Sequence, residues 1–150
     1  MQTAKATGVH LWLVMMKAHE ALREHAEQHI RSLGIGFSDF AALEVLLHKG
    51  PLPVNEIGRM VRLTSGSMTT AIDRLERKGM VERRNDPADR RTRVVHLTAA
   101  GRKLITCAFA DHEAAMERAT SGLTAEERAH AVALLKKLGI RAAELAAASS

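Results

Sequence analysis

The sequence predicts a mostly α, α+β fold, and three observations predict it. The 150 residues are 46% hydrophobic but only 3% aromatic, with seven Met and no Tyr, which suits an aliphatic helical core and not an all-β one. Apolar side chains recur at three- and four-residue steps over most of the chain. Between Leu63 and Gly101, the stretch LTSGSMTTAIDRLERKGMVERRNDPADRRTRVVHLTAAG breaks that rhythm. It reads as a helix, a tight stop, a short strand, an arginine-rich turn, a second strand and the cap of another helix.

The elements follow in order. Trp12, Met15, Met16, His19, Leu22, Ala26, Ile30 and Leu33 form one apolar stripe, predicting a long first helix over about 7–33 that Gly34 and Gly36 end. Ser38 caps a second helix to about Lys49, with Leu43, Leu46 and Leu47 inward and Gly50-Pro51 as its stop. A third helix covers about 54–61, its start weakly marked because Pro53 lies where a capping side chain is expected. Ser65 caps a fourth helix to about Lys78; Met68, Ile72 and Leu75 form its buried edge, and Gly79 is its left-handed stop. Residues 80–84 and 92–97 read as strands joined by a turn containing Asn85-Asp86-Pro87. Thr98 caps a fifth helix through Leu104, Ile105, Ala108 and Met116. The capping box from Thr124 to Glu127 opens a last helix through Val132, Leu135, Leu138 and Leu145.

This order is that of a winged helix-turn-helix at 37–100, flanked by N- and C-terminal helices at 7–33 and 101–147, all within one domain, 1–150. Val9, Leu11, Val14 and Leu145 add apolar surface beyond one stripe, so the terminal helices are read as a dimerisation region. Packing onto the protomer's own core is the competing reading, because one stripe suffices for a monomeric core.

The net charge of +5 is unevenly placed. Residues 59–103 hold twelve Lys/Arg against five Asp/Glu, a net of +7, whereas the remainder is net −2. Duplex DNA carries a charge about every 1.7 Å, so a basic module on a near-neutral body suits phosphate binding, and double-stranded DNA is the expected partner. A single Cys excludes an internal disulfide and points to a reducing compartment. No run of about 18 apolar residues occurs, and the run 9–16 is short and interrupted by His10. Neither a membrane span nor a signal peptide is expected, and the expected location is the cytoplasm. A Gly-rich phosphate loop, a Ser-His-Asp pattern and a paired metal motif are all absent, which argues against an enzyme and implies no cofactor. A winged helix used only for protein contacts stays open, since fold does not fix function.

A helix fits the major groove, so the fourth helix must present polar groups opposite Met68, Ile72 and Leu75. Gly66, Ser67, Thr70, Asp73, Arg74 and Arg77 lie on that side, and helical spacing makes Ser67, Thr70 and Arg74 the candidates for base or phosphate contact. Thr64, Ser65 and Thr69 lie at the positive helix N-terminus, where hydroxyls and free amides suit phosphate. Capping and DNA contact are equally good readings of Ser65, and Arg77 either meets DNA or pairs with a neighbouring acid. On the wing, Arg90 and Arg91 are the long, permanently charged side chains that a narrow minor groove rewards; a solvated hairpin with surface ion pairs is the alternative.

From Phe40 to Leu104 the chain resembles the multiple-antibiotic-resistance regulator (MarR) family of bacterial winged-helix transcription factors. The resemblance rests on FAALEVLLHKGPLPVNEIG, on DRLERKGMVERR, on the Asp89-Arg90-Arg91 wing tip and on the Leu97-Thr98-x-x-Gly101 helix start, all in register. The terminal helices match in pattern only. The resemblance implies a triangular obligate homodimer whose terminal helices interlock and whose two winged modules straddle a pseudo-palindromic operator. It further implies repression of its own or a neighbouring gene and release of DNA when a small ligand, often phenolic, or an oxidant arrives. In the matched pattern Asp89 braces Arg91 as the minor-groove reader, with Arg90 and Arg84 near phosphates. Pro53, where a capping Ser or Thr is common, and Gly58, where Ala is usual, depart from the pattern.

The family pocket lies between the dimer helices and the winged module, which makes Trp12, Met16 and His19 the candidates for contact with a small aromatic or phenolic effector, against the plainer reading as core. His25 and His29, four apart on one helical face, are spaced for a shared metal with Glu24 or His112 as a third ligand, but a solvated pair is the reading taken and no metal site is assigned. Cys107, beside Ala108 and Phe109, is read as a buried structural thiol, with oxidant sensing as the alternative.

Overall fold

Thr7 accepts a hydrogen bond from the His10 amide and so starts the first helix, α1 (Gly8–Ser32), in a computed structural model that describes residues 6–149. The helix ends through Leu33 into Gly34, whose φ of +74° is a left-handed turn that a side chain would strain. Among the residues of α1 only Ile30 is buried. The predicted stripe is therefore covered at its C-terminal end and open to solvent at Trp12 and Met16.

Helix α2 (Phe37–Lys49) runs through the middle of the core, burying Phe40, Ala41, Ala42, Leu43 and Leu46. Each large side chain there contributes about 1.5–3 kcal/mol relative to exposure. Its N-cap is Gly36, not Ser38: the helix begins at Phe37, which leaves Ser38 inside the first turn with its hydroxyl free for another partner. Gly50 ends α2, and Leu52–Pro53 forms a two-residue strand, β1, before α3 (Val54–Val61). Pro53 is the N-cap of α3 with no side-chain bond, as its ring requires. Arg62 closes α3 in the left-handed conformation, φ 57°.

Helix α4 (Ser65–Arg77) buries Met68, Ala71, Ile72 and Leu75. Its cap is Thr64, whose hydroxyl accepts from the Ser67 amide at 3.2 Å, so Ser65 is the first helical residue and does not cap. Gly79 (φ +72°) turns the chain into β2 (Val81–Asn85), which pairs antiparallel with β3 (Arg93–Leu97) from Val81↔Leu97 to Asn85↔Arg93. β3 also pairs with β1, giving the order β1-β3-β2. The sequence reading held two strands; the third is too short to show any alternation. On the β1 edge Pro53 occupies a position where a missing amide is tolerated.

Helix α5 (Ala99–Ala119) starts against the α4–β2 turn. The Thr98 hydroxyl donates to Gly79 O at 2.6 Å and accepts from the Gly101 amide at 3.0 Å, while the Thr98 amide donates to Met80 O at 3.1 Å. Gly101 passes so near that a Cβ would lie 1.9 Å from Met80 O. Ile105 and Ala108 then join Ile30, Phe40, Leu43, Ile57, Met68, Ile72, Val81 and Val95 in one core.

The chain divides into two compact units, Met1–Ala115 and Met116–Ser150. The first holds the core just described. In the second, α6 (Ala125–Ala148) opens on the predicted capping box, Thr124 with Glu127, and Arg128 pairs with Glu117. α6 has no buried residue; Val132, Leu134, Leu135, Ile140 and Leu145 all face solvent. Among the described residues, no helix is long and apolar enough to cross a membrane.

Candidate nucleic-acid interface

α3 and α4, joined by the turn at Arg62, Leu63 and Thr64, make a helix-turn-helix whose second helix leaves its polar side open. Ser65, Ser67, Thr69, Thr70 and Arg77 are all exposed, as the sequence predicts for a face opposite Met68, Ile72 and Leu75. Thr64 donates its hydroxyl proton to Ser67 Oγ at 2.9 Å, and Thr70 donates to Gly66 O at 3.0 Å, so both side chains are held in fixed rotamers near the helix start. Arg77 folds along its own helix, Nε donating to Asp73 O at 3.4 Å.

Arg74 differs from its neighbours on this row. Its Nε donates to Asp39 Oδ1 and Oδ2 at 3.1 and 3.0 Å, Nη2 donates to Oδ1 as well, and Nη2 reaches Ser38 Oγ at 3.4 Å. The guanidinium is thus engaged by α2 and stands apart from the free cations of the surface. The hydrogen bond to Asp39 holds Arg74 firmly protonated, above the ordinary arginine range. Sequence reasoning grouped Arg74 with Ser67 and Thr70 and missed Asp39, which lies in the first turn of α2.

The wing is built by the carboxylates of its turn. Asp86 accepts from the Ala88 amide at 2.9 Å; Asp89 accepts from the Arg91 amide at 3.0 Å and from the Thr92 hydroxyl at 3.0 Å. Asp89 therefore braces Arg91 through its backbone and leaves the guanidinium unclaimed. Among the described residues Arg90 and Arg91 have no ion-pair partner, and both are exposed. Arg84 pairs with Glu82, two residues away on the same strand face. Arg83, which the sequence reading passed over, joins the wing to α4: Nη2 donates to Asp73 Oδ1 at 2.6 Å, Nη1 to Glu76 Oε2 at 2.5 Å, and its amide to Glu76 Oε1 at 3.2 Å. This network absorbs two acids of the basic segment, and Arg90 and Arg91 at the wing tip are among the cations it leaves uncompensated.

The effector candidates sit elsewhere. Trp12 (57% exposed), Met16 and His19 are all open to solvent and line neither of two cavities in the protomer. One cavity, about 650 Å³, lies between α2 and α3 against Glu44, Val45, His48, Lys49, Met60 and Val61; half-burial pushes the Glu44 carboxyl up, opposed by His48. The other, about 460 Å³, lies where the turn after α1 meets α5, against Leu33, Ile35, Lys103, Leu104, Cys107 and Asp111. Cys107 is exposed there, which corrects its reading as a buried thiol. The α5 turn that carries Ala108 inward carries Cys107 out.

His25 and His29 both meet α5. His25 Nε2 is 3.2 Å from Ala115 O, and His29 stacks on His112 with ring centroids 5.9 Å apart, itself edge-on to Phe40. His29 is thus half-buried instead of solvated, and His112 does join the pair. Among the described residues, however, no three His, Cys, Asp or Glu side chains are gathered to hold a metal ion. Buried His29 Nε2 and His112 Nδ1 lack hydrogen-bond partners, and burial first, then the charges of His29 and His25, hold His112 below its ordinary 6.5. The unfolded chain consequently takes up this proton at higher pH than the folded one. Stability is full above about 6.5 and falls as pH drops through the window between the ordinary and the depressed value. Urea midpoints measured at about pH 7.5 and 5.5 are expected to separate, and His112→Phe to narrow the gap. An unaltered gap would remove His112 as its source.

The MarR family model matches residues 38–92. The chain is similar to the HTH-type transcriptional regulator MhqR of Bacillus subtilis, 36% identical over 132 residues, covering 88% of this chain and 91% of that protein. It is also similar to an HTH-type transcriptional repressor of Mycobacterium bovis, 30% identical over 129 residues, covering 86% and 93%. Among solved structures, a mutant of Escherichia coli MarR complexed with operator DNA superposes with a TM-score of 0.74 at 26% identity, covering 85% of this chain and 92% of that one.

Proposed function

This chain belongs to the MarR family of DNA-binding winged-helix transcriptional regulators, and from that premise we propose that it acts as a homodimeric, ligand-responsive repressor on a pseudo-palindromic operator. In this reading 37–100 is the DNA-binding module and the helices at 7–33 and 101–147 serve dimerisation. The observation that carries it is the pairing of a free arginine tip on the wing with an open polar face on α4 within one module. The first suits the minor groove and phosphates, the second the major groove. The proposed contacts are Thr64, Ser65, Ser67, Thr69, Thr70 and Arg77 on the helix side and Arg84, Asp89, Arg90 and Arg91 on the wing, Asp89 acting through the turn.

A second copy is supported by apolar surface that the protomer leaves uncovered. Val9, Leu11, Trp12, Leu13, Val14 and Met16 are exposed on α1, and α6 buries nothing. Contiguous apolar surface of this kind marks an interface in a stable protein. Covered by a partner, Trp12, Met16 and His19 would become candidates to line a pocket for a small aromatic or phenolic effector. The name of the Mycobacterium bovis relative, a repressor, supports that sign of regulation.

Duplexes enriched from a random pool are expected to be two-fold related, with half-sites roughly 10 bp apart, and their affinity to fall steeply with salt. Small aromatic acids are then expected to release them. Salt-insensitive binding would favour a protein-interaction module, and sedimentation as a monomer at micromolar concentration would remove the dimer. Exposure of Cys107 beside a cavity favours one alternative trigger, an oxidant. DNA release by mild peroxide that Cys107→Ser abolishes would replace the ligand reading with that one.

A further inference from the structure

Helix α4 carries on its proposed reading row an arginine whose guanidinium is bonded to the core helix α2. Arg74 is four residues after Thr70 and seven after Ser67, the spacing of one helical face. Yet its guanidinium is engaged by Asp39 and Ser38 of α2. Asp39, 3% exposed, is the one buried charged side chain among the described residues. It sits in the first turn of α2, where Gly36 offers no capping side chain and the free amides favour an anion. Lys78 Nζ stands 4.0 Å from the same carboxylate. The opposite flank of α4 is held in a similar way with the charges reversed: Asp73 and Glu76 on the helix grip Arg83 of β2, whose side chain is only 15% exposed.

We propose that Arg74–Asp39 and Arg83–Asp73/Glu76 are opposed struts that fix the roll of α4 about its own axis, making Arg74 a positioning residue for operator selection and not a contact to DNA. This inference rests on the operator-binding function proposed above. A helix of thirteen residues packed by Met68, Ala71, Ile72 and Leu75 is held against translation by its core, but apolar contacts are non-directional and leave its rotation loosely set. The arginine pairs on the two flanks, Arg74 bidentate on Asp39 and Arg83 forked between Asp73 and Glu76, are directional, and rotation of α4 by a few degrees shifts Ser67 and Thr70 relative to base edges. A lysine preserves the charge of either strut and loses the fork.

The two readings of Arg74 make opposite predictions for Asp39→Asn. If Arg74 contacts phosphate in the complex, removing Asp39 frees it and adds a positive charge, so binding strengthens and the salt slope steepens. If Arg74 is a strut, the specific complex weakens despite the added charge.

The test uses a duplex that the wild-type protein enriches from a random-sequence pool, beside an unselected duplex of equal length, with affinities measured across a salt series. Asp39→Asn, Arg74→Lys and Arg83→Lys are each expected to cut the preference for the selected duplex by about tenfold or more, with affinity for the unselected duplex within about twofold and the salt slope of both lysine variants unchanged. Thermal melts establish that each variant is folded at the assay temperature. Should Asp39→Asn fail that check, the two lysine variants carry the same comparison. Stronger binding by Asp39→Asn, retained preference in Arg74→Lys, or a salt slope reduced by about one in Arg74→Ala overturns the strut. A wild-type protein that enriches no sequence overturns the operator reading itself.

Discussion

Gly101→Ala is expected to destabilise the protein by about 3 kcal/mol, lowering the unfolding temperature by about 10 °C. An alanine inside a helix normally gains about 1 kcal/mol over glycine, so the sign itself is informative. The added Cβ would lie 1.9 Å from Met80 O and 2.8 Å from its carbonyl carbon, and both are backbone atoms that no rotamer change can move. Relief requires α5 to lift off the α4–β2 turn, which breaks the bonds from Thr98 to Gly79 and Met80. Gly66→Ala, with nothing within 4 Å of the added atom, is the control expected to gain slightly. Gly58→Ala lies between, since its Cβ would meet Leu63 O and Met68 Cβ at 3.3 Å. Equal melting temperatures for Gly101→Ala and the wild type would show that the first turn of α5 yields freely.

Arg91→Ala is expected to weaken binding to the selected duplex by about 10- to 100-fold at moderate salt, while leaving the melting temperature within about 1 °C. The magnitude follows from about 1–3 kcal/mol for a specific arginine contact, and the unchanged stability from an exposed guanidinium that no acid holds. Arg90→Ala, in contrast, should weaken selected and unselected duplexes alike and lower the salt slope by about one. Asp89→Ala removes the acceptor of the Arg91 amide and the Thr92 hydroxyl, so it should reproduce a smaller part of the Arg91 loss through a loosened turn. Unchanged affinity of Arg91→Ala would take the side chain out of the interface.

Local chemistry in the sequence carries most of the fold. Gly79, the turn through Asp86-Pro87 and the Thr124–Glu127 box announce themselves because each is a short-range requirement on a few residues. Two caps fell elsewhere than predicted: Thr64 and Ser65 are equally able, and extended backbone at Thr64 decides between them, while Gly36 takes the place read for Ser38 by geometry alone. β1 escaped because two residues cannot display a period. The exposure of the proposed contacts was legible where a polar residue stands opposite an apolar edge or at a turn tip, as at Ser67, Thr70 and Arg91. It was illegible where a side chain's partner lies far along the chain: nothing near Arg74 in sequence reveals Asp39, thirty-five residues earlier. Periodicity likewise identifies the apolar side of α1 but not what covers it: Trp12 lies outside the protomer's own core, open to solvent.

Trp12 has one more consequence. It is the chain's single Trp, and the chain has no Tyr, so emission excited at wavelengths too long for its three Phe to absorb reports on one point near the start of α1. An indole in water emits to the red of one enclosed in apolar surroundings. The protein therefore carries a built-in optical gauge for the proposed dimer: on dilution the emission is expected to shift to the red as that face is uncovered, and an added small molecule that reaches the face to register as quenching.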